Sequence, residues 1–100
     1  MWFTYIIENA KGQLYTGITT DIERRWHEHC SGKKGARFFH SASPKALLWL
    51  EPQPDRSAAS RREAAIKKLN RAAKLELVSQ ASPLALPNLP SPELIRSTQA

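Results

Sequence analysis

A single cysteine, Cys30, stands among the 100 residues. An internal disulfide is therefore excluded, and with it the staple on which many small secreted domains depend. There is no CxxC pair, no HExxH, no P-loop and no GxGxxG, so the common zinc, nucleotide and dinucleotide signatures are missing. Long apolar runs are missing too: residues 2–7 are apolar, but Glu8 and Asn9 interrupt them. Such a run is too short to span a membrane and lacks the basic leader of a signal peptide, so a cytoplasmic protein with no membrane partner is expected. Acidic residues are scarce. Fifteen Lys and Arg against nine Asp and Glu leave a formal net charge of +6, and the cations are grouped, which favours a polyanionic partner, nucleic acid first. A chain of this length makes one domain, near the lower size at which one core suffices without metals or disulfides.

Residues 2–7 are rich in aromatic and β-branched types and read as a strand, and residues 13–19 as its return. Between them, Asn9 opens a turn and Gly12 suits a left-handed position, the pattern of a three-residue hairpin loop with a bulge. An odd loop puts odd-numbered positions of both strands on one face. Tyr5, Ile7, Tyr15 and Gly17 then share a side, two phenols stand together, and Gly17 leaves the backbone open to a ligand. A four-residue loop would separate the two tyrosines, and ordinary cross-strand packing would fit either hairpin.

The return strand runs straight into a helix. Thr20 followed by Glu23 reads as a capping box, and Ile22, Trp26 and Cys30 form the apolar stripe. Arg25 and His29 lie one turn apart on the flank. A phenol, a guanidinium and an imidazole at such a corner could bind and attack a phosphate; the same residues could also be a packing tyrosine beside a solvated basic face. Gly32 is a natural helix stop, and Cys30 reads as a buried hydrophobe.

The loop that follows carries Lys33, Lys34 and Arg37 beside Phe38 and Phe39. The cations suit a phosphate backbone, whereas the two rings are expected to turn inward and close the core. Residues 46–50 are apolar without alternation and read as a third strand covered on both faces. A helix beginning at residue 55, 56, 57 or 60 follows, with Arg62, Ala65, Ile66 and Leu69 as its inner face, and a further helical stretch runs over residues 71–78. Glu63 sits at the border of that face among Arg61, Arg62, Lys67 and Lys68, either as an ion-pair partner of Lys67 four residues on or as a metal ligand. Glu76 reads as a solvated charge. From residue 81 proline recurs at close intervals with no usable period. Residues 1–80 are thus expected to form the domain, and residues 81–100 a proline-rich, disordered tail.

Tyr5, the triplet Tyr15-Thr16-Gly17, then Thr19, Asp21, Arg24, Arg25 and His29, and finally Arg62-Glu63 with Ile66-Lys67-Lys68-Leu69 resemble, in order and spacing, the GIY-YIG nucleases, in particular the small single-domain YhbQ-like branch. The resemblance covers the chain from residue 2 to about residue 78. It implies an α+β fold with a three-stranded sheet flanked by helices, and a metal-dependent endonuclease that hydrolyses phosphodiester bonds in DNA, in repair or processing. It also implies a single Mg²⁺ or Mn²⁺ held by Glu63, with Tyr5, Tyr15, Arg25 and His29 as the other catalytic positions. The residue types suit the task. Mg²⁺ takes hard oxygen ligands and keeps its waters, so one carboxylate can suffice, and a guanidinium fork matches a phosphate oxygen. A tyrosine serves as base only if cations lower its pKa from about 10; either phenol or His29 could be that base.

The expected phosphate contacts are Lys33, Lys34, Arg37, Arg61, Lys67 and Lys68. The chain departs from the family pattern at Phe3-Thr4-Tyr5, where only the tyrosine matches, at Thr16, at Ile18, where some relatives carry lysine, and at Phe39-His40. Asn70 is the candidate for a late asparagine used by some members. Two rival readings belong to other classes. One is a nucleic-acid-binding module with little or no catalysis, whose binding is salt-sensitive. The other is an adaptor working through the tail, which would lose function on deletion of residues 81–100 while the domain stayed folded.

Overall fold

The computed structural model describes residues 1–32, 34–80 and 86–97. β1 (Trp2–Asn9) and β2 (Leu14–Thr19) form an antiparallel hairpin. The Asn9 and Gly12 amides close the turn on the Gln13 and Asn9 carbonyls at 2.9 Å each, and Gly12 holds φ 79. Three loop residues therefore separate the pair, as the sequence predicts. Ile7 faces Tyr15 and Tyr5 faces Gly17, which puts both tyrosines on the odd-numbered face.

β3 (Pro44–Gln53) pairs with the other edge of β1, giving the order β2-β1-β3. The unbroken apolar run of β3 has a concrete cause. Ile7 faces Leu47 but Ile6 faces Trp49, so Leu48 is an extra residue at a bulge. The pleat changes phase there, and Leu47 and Leu50 both join the odd-face core while Trp49 joins the other.

Two cores result, one on each face of β1, which is why that strand is buried from Thr4 to Ile7. On the odd face, Tyr5 and Ile7 pack with Ile22, Trp26 and Cys30 of α1 (Ile22–Ser31) and with Phe39. Phe38 leans on the same cluster, so both rings turn inward as expected. On the even face, Ile6 and Trp49 pack with Ile66 of α2 (Arg56–Lys67), and Leu77 and Val78 of α3 (Arg71–Ser79) close over them. Thr4 Oγ1 donates to the Ala59 carbonyl at 3.1 Å and ties α2 to the sheet.

Four expectations are corrected. The cap of α1 is Asp21, whose carboxylate accepts the Arg24 amide at 3.1 Å. Thr20 and Glu23 form no box there, because Asp21 already sits in the extended backbone that a cap requires and its charge favours the helix start. On α2, Ala59 and Ile66 are the buried positions, whereas Ala65 and Leu69 are exposed. The inner line thus runs through residues 59, 63 and 66 and rotates Glu63 toward the sheet. Asn70 spends its side-chain oxygen on the Ala73 amide at 2.8 Å, capping α3.

The fourth correction concerns the tail. Residues 86–97 fold back, ending in α4 (Pro92–Ser97). Ile95 is 3% exposed, Leu89 packs on the odd-face core, and the Trp26 indole donates to the Pro90 carbonyl at 2.8 Å. The prolines stiffen the approach, and two apolar anchors supply what the missing periodicity concealed. Removal of this segment would strip cover from Trp26 and the odd-face core. Residues 81–85 and 98–100 of the expected tail lie outside the described residues.

Candidate active site

The odd face of the hairpin and the buried flank of α1 meet at Tyr5. Its hydroxyl lies 2.8 Å from His29 Nε2. The Ala36 amide, which can only donate, reaches His29 Nδ1 at 3.1 Å. Nδ1 is therefore the acceptor, the ring proton sits on Nε2, and that proton is donated to the Tyr5 oxygen. His29 is 1% exposed. Burial first, and the neighbouring Arg25 charge second, push its pKa down to about 3, so the ring is neutral.

Tyr15 stacks into the same cluster, its ring centroid 6.2 Å from Tyr5, 5.5 Å from His29 and 5.4 Å from Phe38. Unlike Tyr5, which is wholly buried, Tyr15 keeps part of its surface in water. Burial and the adjacent Tyr15 raise the Tyr5 hydroxyl above the ordinary phenol range, against an opposing pull from Arg25. That is the reverse of what a tyrosine base requires, so the cation effect expected from the sequence is outweighed at Tyr5.

Gly17 is also not the open backbone the sequence suggested. A Cβ there would stand 2.5 Å from Tyr5 Oη and 2.9 Å from the Tyr15 ring. The space is filled by tyrosine, and the glycine serves the phenols' packing.

Arg25 is partly exposed. Its Nη1 donates to Glu28 Oε1 at 3.1 Å and to the Lys34 carbonyl at 2.7 Å, and its positive charge pulls against the rise of the Tyr5 hydroxyl. Arg24, its neighbour, faces solvent. Glu63 arrives from α2, on the other layer, with its side chain 24% exposed and Lys67 Nζ 3.4 Å away. Its charge is felt at the Tyr5 hydroxyl, which it raises. Tyr5, Tyr15 and His29 are thus in mutual contact, with Tyr5 and His29 as a buried floor, Tyr15 and Arg25 partly in water, and Glu63 partly exposed on α2.

The expected phosphate contacts fall into two sets. Lys34 and Arg37 are exposed beside Phe38, on the α1 side; Lys33 lies outside the described residues. Arg61 on α2 and Lys68 just past its end are exposed, with Arg61 bonded to Ser57 Oγ at 2.6 Å, while Lys67 is the partner of Glu63. Among the described residues no three His, Cys, Asp or Glu side chains converge on a common metal position. The donor set is one half-shielded carboxylate with water access, which fits Mg²⁺ or Mn²⁺ retaining most of its own waters and does not fit a zinc cage.

Sequence reasoning missed Glu28 and the backbone contacts of Lys34 and Ala36. The i, i+3 spacing of Arg25 and Glu28 was readable as a pair, but contacts made by backbone atoms of a loop leave no mark in residue types.

An α+β domain with helices on both faces of a three-stranded sheet, paired tyrosines, a helical arginine and a helical glutamate is of the nuclease type. Residues 1–76 match the GIY-YIG catalytic domain family, and the chain belongs to that family of endonucleases. Its relatives are of the UPF0213, YhbQ-like group. It is 53% identical over 77 residues to UPF0213 protein DP2720 of Desulfotalea psychrophila, covering 77% of this chain and 70% of that one. It is 42% identical over 95 residues to YhbQ of Escherichia coli, covering 93% and 94%. The solution structure of UPF0213 protein BH0048 from Bacillus halodurans superposes with a TM-score of 0.53 at 38% identity, over 84% of this chain and 90% of that one. Among the described residues no helix is long and apolar enough to cross a membrane.

Proposed function

We propose that the protein is a metal-dependent endonuclease that hydrolyses phosphodiester bonds in DNA, in its repair or processing in the cytoplasm. The observation that carries this reading is the buried contact of the Tyr5 hydroxyl with His29 Nε2 and of both with the Tyr15 ring, at the helix that carries Arg25, in a chain whose family is one of endonucleases. Arg25 holds a non-bridging phosphate oxygen and the charge that grows on phosphorus. Tyr15, the phenol with water access, orients the attacking water through its hydroxyl, and that water's proton passes to bulk solvent. Tyr5 and His29 hold the floor. The Tyr5 oxygen accepts from His29 and keeps its own proton, so it is a donor and not the base. Glu63 would hold one Mg²⁺ or Mn²⁺, which when bound would polarise the phosphoryl oxygen and ease departure of the 3′ oxygen. Lys34, Arg37, Arg61 and Lys68 supply the salt-sensitive grip on the backbone.

The test is cleavage of labelled single-stranded, duplex, nicked and flap DNA, and of RNA, by the full chain with each metal. Glu63→Ala is expected to abolish cleavage, and Arg25→Ala to lower the rate about 10²–10³-fold, as for loss of one transition-state donor. Nicking that survives in Glu63→Ala overturns the assignment. The pairings of Arg25 with Glu28 and of Glu63 with Lys67 favour a second reading, a nucleic-acid-binding module with little chemistry. It predicts salt-sensitive binding with no metal-dependent turnover.

A further inference from the structure

After α1, the residues Lys34, Gly35 and Ala36 touch the site three times, each time through backbone atoms. The Lys34 carbonyl accepts from Arg25 at 2.7 Å, and the Ala36 amide donates to His29 Nδ1 at 3.1 Å. Between them, Gly35 lies so close to the helix that a Cβ would stand 2.5 Å from the Glu28 carbonyl oxygen and 2.8 Å from His29 Cα. Those are atoms of a helix backbone, so a side chain at position 35 would have to lift the turn. The same Glu28 carbonyl accepts the Gly32 amide at 3.2 Å, at the helix end. Lys34 itself holds φ 60, a left-handed conformation unusual outside glycine. An uncommon backbone is thus kept in place by contacts aimed at two groups of the site.

We propose that the Lys34–Ala36 turn is the positioning device of the active site: the Lys34 carbonyl aims the Arg25 guanidinium, and the Ala36 amide fixes the His29 proton on Nε2. Gly35 is the small residue that lets both contacts form at once. The inference rests on the nuclease reading above. Without the Ala36 amide, either ring nitrogen can carry the proton, and the bond between His29 and Tyr5 can run in either direction. With it, the Tyr5 oxygen always accepts, and its proton stays available to an acceptor in the site. All three residues act through Arg25, His29 and Tyr5.

Ala36→Pro breaks the contact: Ala36 has φ −66 and ψ 143, angles a proline adopts, while the ring removes the N–H and sets its Cδ where that N–H met His29 Nδ1. In the wild type, imidazole ¹⁵N spectra at neutral pH are expected to show His29 protonated on Nε2 alone. Ala36→Pro is expected to give mixed tautomers, and a kcat on DNA lower by about 10–100-fold, the usual cost of losing an orienting partner, with KM nearly unchanged. Gly35→Ala, which displaces both contacts, is expected to lose more. Gly32→Asn is the control: Gly32 has φ 79 with nothing within 4 Å of its Cβ position, and asparagine tolerates that backbone, so wild-type cleavage is expected. An Nδ1-protonated His29 in the wild type overturns the proposal before any variant is made. So does an unchanged imidazole pattern and kcat in Ala36→Pro. If the wild type fails to cut DNA, the nuclease reading falls while the spectra still decide the turn: mixed tautomers in Ala36→Pro support it, an unaltered ring refutes it.

Discussion

The two faces of β1 are built to different rules. On the odd face, polar groups are buried and each is matched: His29 is bonded at both ring nitrogens, and Tyr5 lies between His29 and Arg25. On the even face the buried residues that form the core are apolar, Ile6, Trp49 and Ile66, and charge is confined to rim pairs such as Arg62 with Glu51 at 3.0 Å. A buried polar group is expensive unless satisfied, whereas a surface pair is nearly free to form or break. The odd face therefore holds a fixed arrangement of polar groups, and the even face holds α2 against the sheet. Glu63 connects the two, being carried by the helix of one face and sensed by the phenol of the other.

The sharpest way to break this comparison is acid. His29 is neutral when folded, with its pKa down at about 3 instead of the ordinary 6.5. Below pH 6.5 the unfolded chain takes up a proton that the folded ring refuses until near pH 3. The stability contributed by this group is therefore complete above pH 6.5 and drains away as pH falls through that window. A shift of this size corresponds to on the order of 5 kcal/mol. Urea midpoints followed from pH 7 to pH 4 should fall more steeply for the wild type than for His29→Gln, whose amide can still donate and accept but does not titrate. Equal slopes would mean that the ring reaches water.

What could be read in the residues followed how local the physics is. The hairpin was legible because Asn9 and Gly12 dictate the turn, and the turn dictates that Tyr5 and Tyr15 share a face. The buried Cys30 followed from its place on the apolar stripe of the helix, and the inward Phe39 from a ring that closes the core. Their chemistry was less legible. That Tyr5 would be sealed, and its hydroxyl driven up, depends on Phe39, Trp26 and α4 covering the face, and on Gly17 yielding its space. The bulge at Leu48 hid inside an unbroken apolar run, since a phase change looks like burial on both sides. Residues 86–97 were misread because helical period was the signal sought, and Leu89 and Ile95 anchor with too few turns to show one.

A smaller effect probes the part of the odd face that residue types concealed. Trp26→Phe keeps most of the ring volume beside Cys30 and Ile95 but removes the indole N–H that meets the Pro90 carbonyl at 2.8 Å. The expected cost is about 0.5–1.5 kcal/mol, the net worth of one hydrogen bond whose carbonyl regains water. Hydrogen exchange should quicken across residues 86–97 and stay unchanged in β1. Equal quickening in β1 would mean that the segment and the sheet open together, as a single cooperative unit.

The smallest expected effect lies on the even face, at its ion pairs. Arg62 meets Glu51 with side chains 38% and 39% exposed, and Lys67 meets Glu63 at 55% and 24%. Both pairs stand largely in water, so Glu51→Gln and Lys67→Met should each change stability by less than about 1 kcal/mol. Arg62 also lies over the Trp49 ring at 5.5 Å, and that contact survives Glu51→Gln, which narrows the loss further. The two substitutions should part company in activity. Glu51→Gln touches nothing near the phenols, whereas Lys67→Met leaves the Glu63 carboxylate without its cation, free for a divalent ion. Titrating cleavage against Mg²⁺ should then reach half-maximum at lower metal concentration in Lys67→Met and at the wild-type concentration in Glu51→Gln. A coincident shift in both would trace the effect to the net charge of α2, and Glu63 would lose its distinction from any other acid on that face.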